Sequence, residues 1–148
     1  MNLTYGQRFA DFYDRIFPRA TAETDAAVAR LAELHRPELG LPLEMAVGTG
    51  RIAVPLSERV GEVVGVDISP EMLAGLEGFG ADVTPVLGDM CTYDGSDGHG
   101  LVYCVLCSLT LLPSADDQAA AVRRLAQAAA SVAETRAPAP GDGLIPVT

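Results

Sequence analysis

The fold is decided by residues 41–77, LPLEMAVGTGRIAVPLSERVGEVVGVDISPEMLAGLE. Two apolar runs in this stretch, Leu41 to Val47 and Glu62 to Val66, are each followed by a turn and then by residues with helical spacing. Two further runs, Val83 to Leu87 and Leu101 to Leu106, continue the pattern. Continuous apolar runs separated by helices are typical of a parallel sheet covered on both faces. The sequence therefore predicts an α/β fold with a Rossmann-like parallel sheet of about four strands.

Helical segments are predicted before, between and after these strands. The first, Tyr5 to Phe17, repeats aromatic residues at spacings of three and four and ends at Pro18. The others run from Thr21 to near Pro37, from Ile52 to about Arg59, from a Ser69 cap to Glu77, and from Ser114 to about Val132. With right-handed crossovers, the expected strand order is 3-2-1-4, and the loops after the first three strands meet at one sheet edge.

Composition excludes several classes of protein. The 148 residues carry ten basic against twenty acidic side chains, a net charge of −10, so no basic face is available for nucleic acid. All ten bases are arginine, and none lies between Arg59 and Arg123. The start of the chain does not resemble a secretory signal, and no apolar stretch is long enough to span a membrane. Three cysteines fit reduced thiols, so we expect a cytoplasmic protein.

The first strand ends in a glycine turn that permits close approach of a ligand to the backbone. Gly48 and Gly50 remove the Cβ atoms that would stand in the way. The spacing Gly48-x-Gly50-x-x-Ala53, followed by Asp67, also satisfies a loose dinucleotide fingerprint. NAD is therefore one candidate ligand, and a structural scaffold with turn glycines and no ligand is another.

Three acidic residues favour a different nucleoside. Glu44 lies four positions before Gly48, where a carboxylate suits a ligand ammonium group better than a pyrophosphate. Asp67 ends the second strand and can accept hydrogen bonds from both hydroxyls of a ribose. Asp89, which follows the third strand, suits an exocyclic amino group, and the neighbouring Met90 suits a purine face. Together they predict one crevice for a positively charged nucleoside.

From Tyr5 to about Gln127 the chain resembles a class I S-adenosylmethionine-dependent methyltransferase. Residues 44–50 are similar to the first motif of that family, Asp67 to its ribose motif, Gly88 to Met90 to its adenine motif, and residues 101–112 to its fourth motif. The resemblance implies S-adenosylmethionine as cofactor and a first helix that acts as a lid. The residues that it implies for cofactor binding are Tyr5, Tyr13, Glu44, Ala46, Gly48, Gly50, Asp67, Ile68, Met72, Gly88, Asp89 and Met90.

Several positions depart from the family pattern. Ala46 stands where the family often has glycine, and Cys107 replaces a common asparagine. The resemblance ends after the helix that follows the fourth strand, so we expect a truncated sheet that lacks the last three strands of the family. The resulting division is a lid helix at residues 1–20, a cofactor-binding domain at 21–133 and a tail rich in proline and glycine at 134–148.

The fourth strand also predicts a partner. A strand as apolar as Leu101 to Leu106 invites association if it remains an open sheet edge. We expect a homodimer that covers this edge, with Leu144 to Val147 added to the sheet or exchanged between subunits.

A metal site is not expected. Cys104 and Cys107 form a C-x-x-C pattern, and Cys91 and His99 are near in sequence. Residues three apart on a strand point to opposite faces, so the two thiols would not converge.

The predicted function is methyl transfer to a small-molecule acceptor, with natural-product tailoring as the expected setting. No firm catalytic residue is predicted, and Tyr13 is at most a lid or substrate residue because an aromatic stripe usually packs in a core. The missing acceptor machinery leaves two alternatives open. One is a methyltransferase-like cyclase or another natural-product enzyme that does not methylate, and the other is a non-catalytic cofactor-binding or dimerisation fragment.

Overall fold

A computed structural model describes residues 4–18, 20–95 and 98–135. Nine helices and strands occur within these residues. In chain order they are α1 (Thr4–Ile16), α2 (Ala22–Leu34), β1 (Pro42–Met45), α3 (Ala53–Val60), β2 (Val63–Asp67), α4 (Pro70–Glu77), β3 (Val83–Leu87), β4 (Leu101–Tyr103) and α5 (Ala115–Thr135). Short 3-10 helices cover Pro37–Leu39 and Ser108–Leu111.

The four strands form one parallel sheet in the order β3-β2-β1-β4, which confirms the predicted order. Glu44 on β1 pairs with Gly65 on β2 and with Tyr103 on β4. The carboxyl ends of β1, β2 and β3 therefore lie side by side, as expected for strands joined by right-handed crossovers.

Helices cover both faces of the sheet, as predicted. One apolar cluster contains side chains of α2, α3 and α4, among them Val28, Leu56 and Leu73. The second contains Leu43 of β1 and Ala128 of α5. Helix α1 packs against α4. Because β1 is central and covered on both sides, its side chains are removed from water.

Helix starts agree with the capping residues seen in the sequence. The hydroxyl oxygens of Thr21 and Ser69 accept hydrogen bonds from the backbone N–H groups of Thr24 and Met72, at 3.1 and 3.2 Å. Ser114 accepts from the N–H of Asp117 at 3.1 Å. Each bond satisfies an N–H group that has no partner within its own helix.

Three predicted boundaries need correction. The fourth strand was expected to reach Leu106 but ends at Tyr103, which is the last residue in register with β1. Beyond it the chain turns, and Leu106 has a left-handed backbone with φ of 61°. β1 in turn is shorter than predicted, since Ala46 has φ of 61° and leaves the sheet.

Helix α5 continues to Thr135, past the predicted end near Val132 and into the segment assigned to the tail. The rest of that tail, including the proposed edge strand Leu144 to Val147, lies outside the described residues. No helix in the described part of the chain combines the length and apolar character needed to cross a membrane.

Candidate functional site: the ends of β1, β2 and β3

The turn between β1 and α3 brings three left-handed residues close together. Ala46, Gly48 and Gly50 have φ angles of 61°, 59° and 83°. A Cβ on Gly50 would lie 2.3 Å from a methyl carbon of Leu76 and 2.8 Å from one of Val54, so these side chains would have to shift, and the positive φ also favours glycine there. A Cβ on Gly48 would have no neighbour within 4 Å. Gly50 therefore serves packing, whereas Gly48 leaves open space beside the backbone.

Asp67 links this turn to the ends of the other strands. Its Oδ2 accepts a hydrogen bond from the backbone N–H of Gly48 at 2.8 Å, and its Oδ1 accepts from that of Ser69 at 2.9 Å. The Asp67 backbone carbonyl accepts from the N–H of Gly88 at 2.9 Å. Burial raises the pKa of Asp67, and the backbone N–H groups oppose that rise.

Glu44 is almost fully buried, with 2% of its surface exposed. Its Oε2 accepts a hydrogen bond from the Tyr103 hydroxyl at 3.0 Å. Burial raises the pKa of Glu44 to about 8, against the lowering effects of that hydroxyl and of the backbone N–H of Ala53. The charge of Asp67 adds to the rise. Two carboxyl groups, on Glu44 and Asp67, thus flank the glycine turn.

Tyr103 was missed by the sequence reasoning as a member of this site. The available signal was one hydroxyl-bearing side chain within an otherwise apolar strand. That signal could not identify its partner, because Glu44 lies 59 residues away in sequence.

The third strand end holds the residues expected to contact adenine. Asp89 is half-buried, and its Oδ1 accepts a hydrogen bond from the N–H of Cys91 at 2.8 Å. The side chain of Met90 is buried in the core cluster with Leu43 and Leu112. Little of the Met90 side chain is exposed, whereas Ile68, the residue after Asp67, is half-buried. Met72 is buried in α4.

Helix α1 contacts the glycine turn directly. The Thr49 hydroxyl donates a hydrogen bond to Oδ1 of Asp14 at 2.5 Å. The ring of half-buried Tyr13 lies 5.0 Å from that of Phe17, over which the Arg51 guanidinium is placed at 5.9 Å. These contacts place α1 beside the glycine turn, and the sequence resemblance implies a lid role for this helix. The predicted role of Tyr5 concerns a side chain outside the described part of the structure.

The cysteines do not form a cluster of their own in the described part of the chain. Cys104 and Cys107 fall in the turn after β4, and burial raises the pKa of Cys104 to about 11. Within residues 4–18, 20–95 and 98–135, no three His, Cys, Asp or Glu side chains are grouped so that they could hold a metal ion.

A doubly covered parallel sheet with a glycine turn, and with acids at adjacent strand ends, defines a Rossmann-like nucleoside-binding domain. Comparison with known proteins gives the family. Residues 43–131 match the methyltransferase domain family. The chain belongs to this family, the class I S-adenosylmethionine-dependent methyltransferases, as its sequence resemblance implied.

Individual relatives agree with this assignment. YqeM of Bacillus subtilis (strain 168), provisionally named a methyltransferase, is 33% identical over 115 residues, covering 75% of this chain and 45% of YqeM. The CcbJ methyltransferase from Streptomyces caelestis is 32% identical with a TM-score of 0.72, covering 82% of this chain and 51% of CcbJ.

The sugar N-methyltransferase KedS8 from Streptoalloteichus sp. ATCC 53650 is 27% identical with a TM-score of 0.61. That likeness covers 79% of this chain and 47% of KedS8. The chain thus spans about half the length of the relatives that it matches.

Proposed function

We propose that this chain binds S-adenosylmethionine at the ends of β1, β2 and β3 and transfers its methyl group to a small-molecule acceptor. The observation that carries the proposal is the placement of two carboxyl groups, those of Glu44 and Asp67, beside one glycine turn, within the residues that match the family. Two carboxyl groups and an open backbone fit a cationic nucleoside better than a pyrophosphate, which would be repelled.

Each polar group has a proposed part of the cofactor to hold. Glu44 faces the ammonium group, and the backbone from Ala46 to Gly50 surrounds the methionine chain. The Asp67 carboxylate accepts backbone N–H groups of the neighbouring turns, including those of Gly48 and Ser69, and has lone pairs left for ribose hydroxyls. The adenine is lined by Ile68, Gly88, Asp89 and the backbone of Met90. Met72, near the start of α4, belongs to the same proposed cofactor-binding set, and Tyr13 of α1 closes the site from outside.

The reaction that this arrangement supports is an in-line displacement. S-adenosylmethionine, when bound, would supply an electrophilic methyl group on its sulfonium. An amine acceptor would first give up its extra proton to solvent, and its nitrogen lone pair would then take the methyl group while the electrons of the carbon–sulfur bond stay on sulfur. The positive charge would pass from sulfur to the methylated amine, which can release a proton to solvent, so holding the two reactants in line would supply most of the rate enhancement.

The acceptor that the comparisons support best is an amine on a small sugar-like molecule. KedS8 is a sugar N-methyltransferase by its description, and it matches this chain at 27% identity. Between Arg59 and Arg123 the sequence has ten carboxylates and no basic residue. This negative charge also favours a cationic acceptor. A role in natural-product biosynthesis follows from this proposed substrate class.

Isothermal titration with S-adenosylmethionine, S-adenosylhomocysteine and NAD tests the cofactor. We expect binding of the first two and no heat from NAD, whereas NAD binding alone would overturn the proposal. Release of S-adenosylhomocysteine with a panel of amino sugars then tests transfer. Cofactor binding without any transfer would favour a non-catalytic module. Conversion of an acceptor that continues after the cofactor is removed would favour a cyclase.

We further propose a cytoplasmic homodimer. β4 is an edge strand of the described sheet, and exposed Leu106 and Leu111 follow it. A second copy would cover this edge. The three cysteines are unpaired, which fits a reducing compartment. Light scattering at micromolar concentration should give the mass of a dimer, and a monomer would remove this part of the proposal.

A further inference from the structure

The hydrogen bond between Tyr103 and Glu44 joins the two strands that meet at the site. The Tyr103 side chain is 7% exposed, and its hydroxyl donates to Oε2 of Glu44 at 3.0 Å. The two residues are paired in the register of β1 and β4. A buried phenol needs a partner, and a buried carboxyl needs a donor, so each group satisfies the other.

The surroundings of Glu44 supply few other polar groups. The backbone N–H of Ala53, at the start of α3, is a second donor. Asp67 from β2 is the nearby acidic side chain, and its negative charge opposes ionisation of Glu44. In the turn after β4, the Cys104 thiol lies close enough for its pKa to be raised by Glu44. None of these groups supplies a positive charge, so the Tyr103 hydroxyl is the main side-chain donor that favours the carboxylate.

We propose that Tyr103 is a positioning residue for cofactor binding, whose hydroxyl orients the Glu44 carboxyl group and favours its ionised form for contact with the cofactor's ammonium group. The inference rests on the proposed function, because it assigns that contact to Glu44. Tyr103 itself acts through Glu44 and need not touch the cofactor.

The physical consequence is a link between cofactor binding and pH. Burial alone would keep a proton on Glu44 near neutral pH, and the phenol hydrogen bond opposes this. A cation binds the ionised form preferentially, so its affinity increases as pH rises towards the pKa of about 8. Removing the hydroxyl moves that increase to higher pH.

Tyr103→Phe is the test variant, since it deletes the hydroxyl and keeps the ring. The matched control is Thr84→Val, which removes a hydroxyl donor to Glu62 at 2.6 Å on the exposed surface between β3 and β2. Both proteins keep their shape, and each loses one hydroxyl-to-glutamate hydrogen bond.

Carboxyl-carbon NMR of glutamate-labelled protein without ligand gives the first measurement, with Glu44→Gln to assign the signal. In Tyr103→Phe the Glu44 titration should move upward by about one pH unit, since a hydrogen bond to a charged group is worth roughly that much. Thr84→Val should leave it in place. An unchanged midpoint in Tyr103→Phe would overturn the inference, whether or not the protein binds any cofactor.

Titration with S-adenosylhomocysteine across pH 6 to 9 gives the second measurement. Tyr103→Phe should bind about tenfold more weakly at pH 7, with a smaller loss at pH 9, where Glu44 is more ionised. The pH dependence of binding to Glu44→Gln comes from titration of the ligand itself, and it is subtracted from the curves of the other proteins. A loss of affinity that is equal at every pH would show a merely structural role. If the wild-type protein bound no ligand, the proposed function would fail while the NMR result still decided the link between Tyr103 and Glu44.

Discussion

Glu44 makes the stability of the empty protein depend on pH in an unusual direction. Most carboxylates of folded proteins are stabilised in their ionised form, so stability is lost as pH falls. Glu44 has the opposite character, because burial raises its pKa from 4.5 to about 8. The native state therefore holds its proton more tightly than the unfolded chain does. Between these two values the free energy of unfolding should fall as pH rises.

The size of the fall follows from the difference between the two pKa values. A separation of about 3.5 pH units, at about 1.36 kcal/mol per unit, corresponds to about 5 kcal/mol. The full stabilising effect is present below pH 4.5 and is lost by pH 8. The pKa of Asp67 is raised as well, so Asp67 adds to the total fall in the free energy of unfolding.

Comparison with Glu44→Gln isolates the contribution of Glu44. Glutamine keeps an acceptor oxygen for the Tyr103 hydroxyl and has no proton to lose. Urea unfolding of the ligand-free proteins, followed by circular dichroism at pH 5, 6, 7 and 8, gives the free energies. We expect the variant to lose most of the slope and to be the more stable protein at pH 8. Glu62→Gln, which removes an ionisable carboxyl group on the surface and keeps an acceptor oxygen for Thr84, is the matched control.

Parallel curves for wild type and Glu44→Gln would refute the reasoning, since Glu44 would then titrate alike in the folded and unfolded chains. A wild-type stability that rises between pH 5 and 8 would refute it as well.

The remaining predictions concern the glycine turn and Asp67. Ala46→Gly should stabilise the protein by about 1 kcal/mol, because alanine is strained at φ of 61°; an unchanged urea midpoint would contradict this. Gly50→Ala should cost about 2 to 4 kcal/mol of stability through its clash with Leu76, whereas Gly48→Ala should cost about 1 kcal/mol and mainly weaken cofactor binding; equal unfolding midpoints for the two would argue against it. Asp67→Ala should weaken S-adenosylhomocysteine binding by about 2 to 4 kcal/mol in calorimetry, and heats equal to wild type would exclude Asp67 from the site.

Much of the fold could be predicted because the signals are local. The caps at Thr21, Ser69 and Ser114 act within their own first turns, so sequence alone identifies where those helices begin. β3 was predicted with its observed bounds, Val83–Leu87. The errors lie at the ends of β1, β4 and α5, and the backbone turns with positive φ after both strands, at Ala46 and Leu106.

The candidate site was predictable to a similar extent. Chain topology brings the loops after the first three strands to one edge, and the acids at those ends were visible in the sequence. Burial of Met90 in the core and contact of Asp14 with Thr49 were not visible, because both depend on how distant elements pack.

The sequence by itself determined the order of strands and helices, the acids at the strand ends and the methyltransferase family, because each is encoded in short segments of chain. Only the tertiary structure decided that Tyr103 donates to Glu44, that both are buried, and that a carboxyl group beside the turn holds its proton towards pH 8. Proton affinity depends on desolvation and on neighbours from other strands, and both exist only once the sheet has formed.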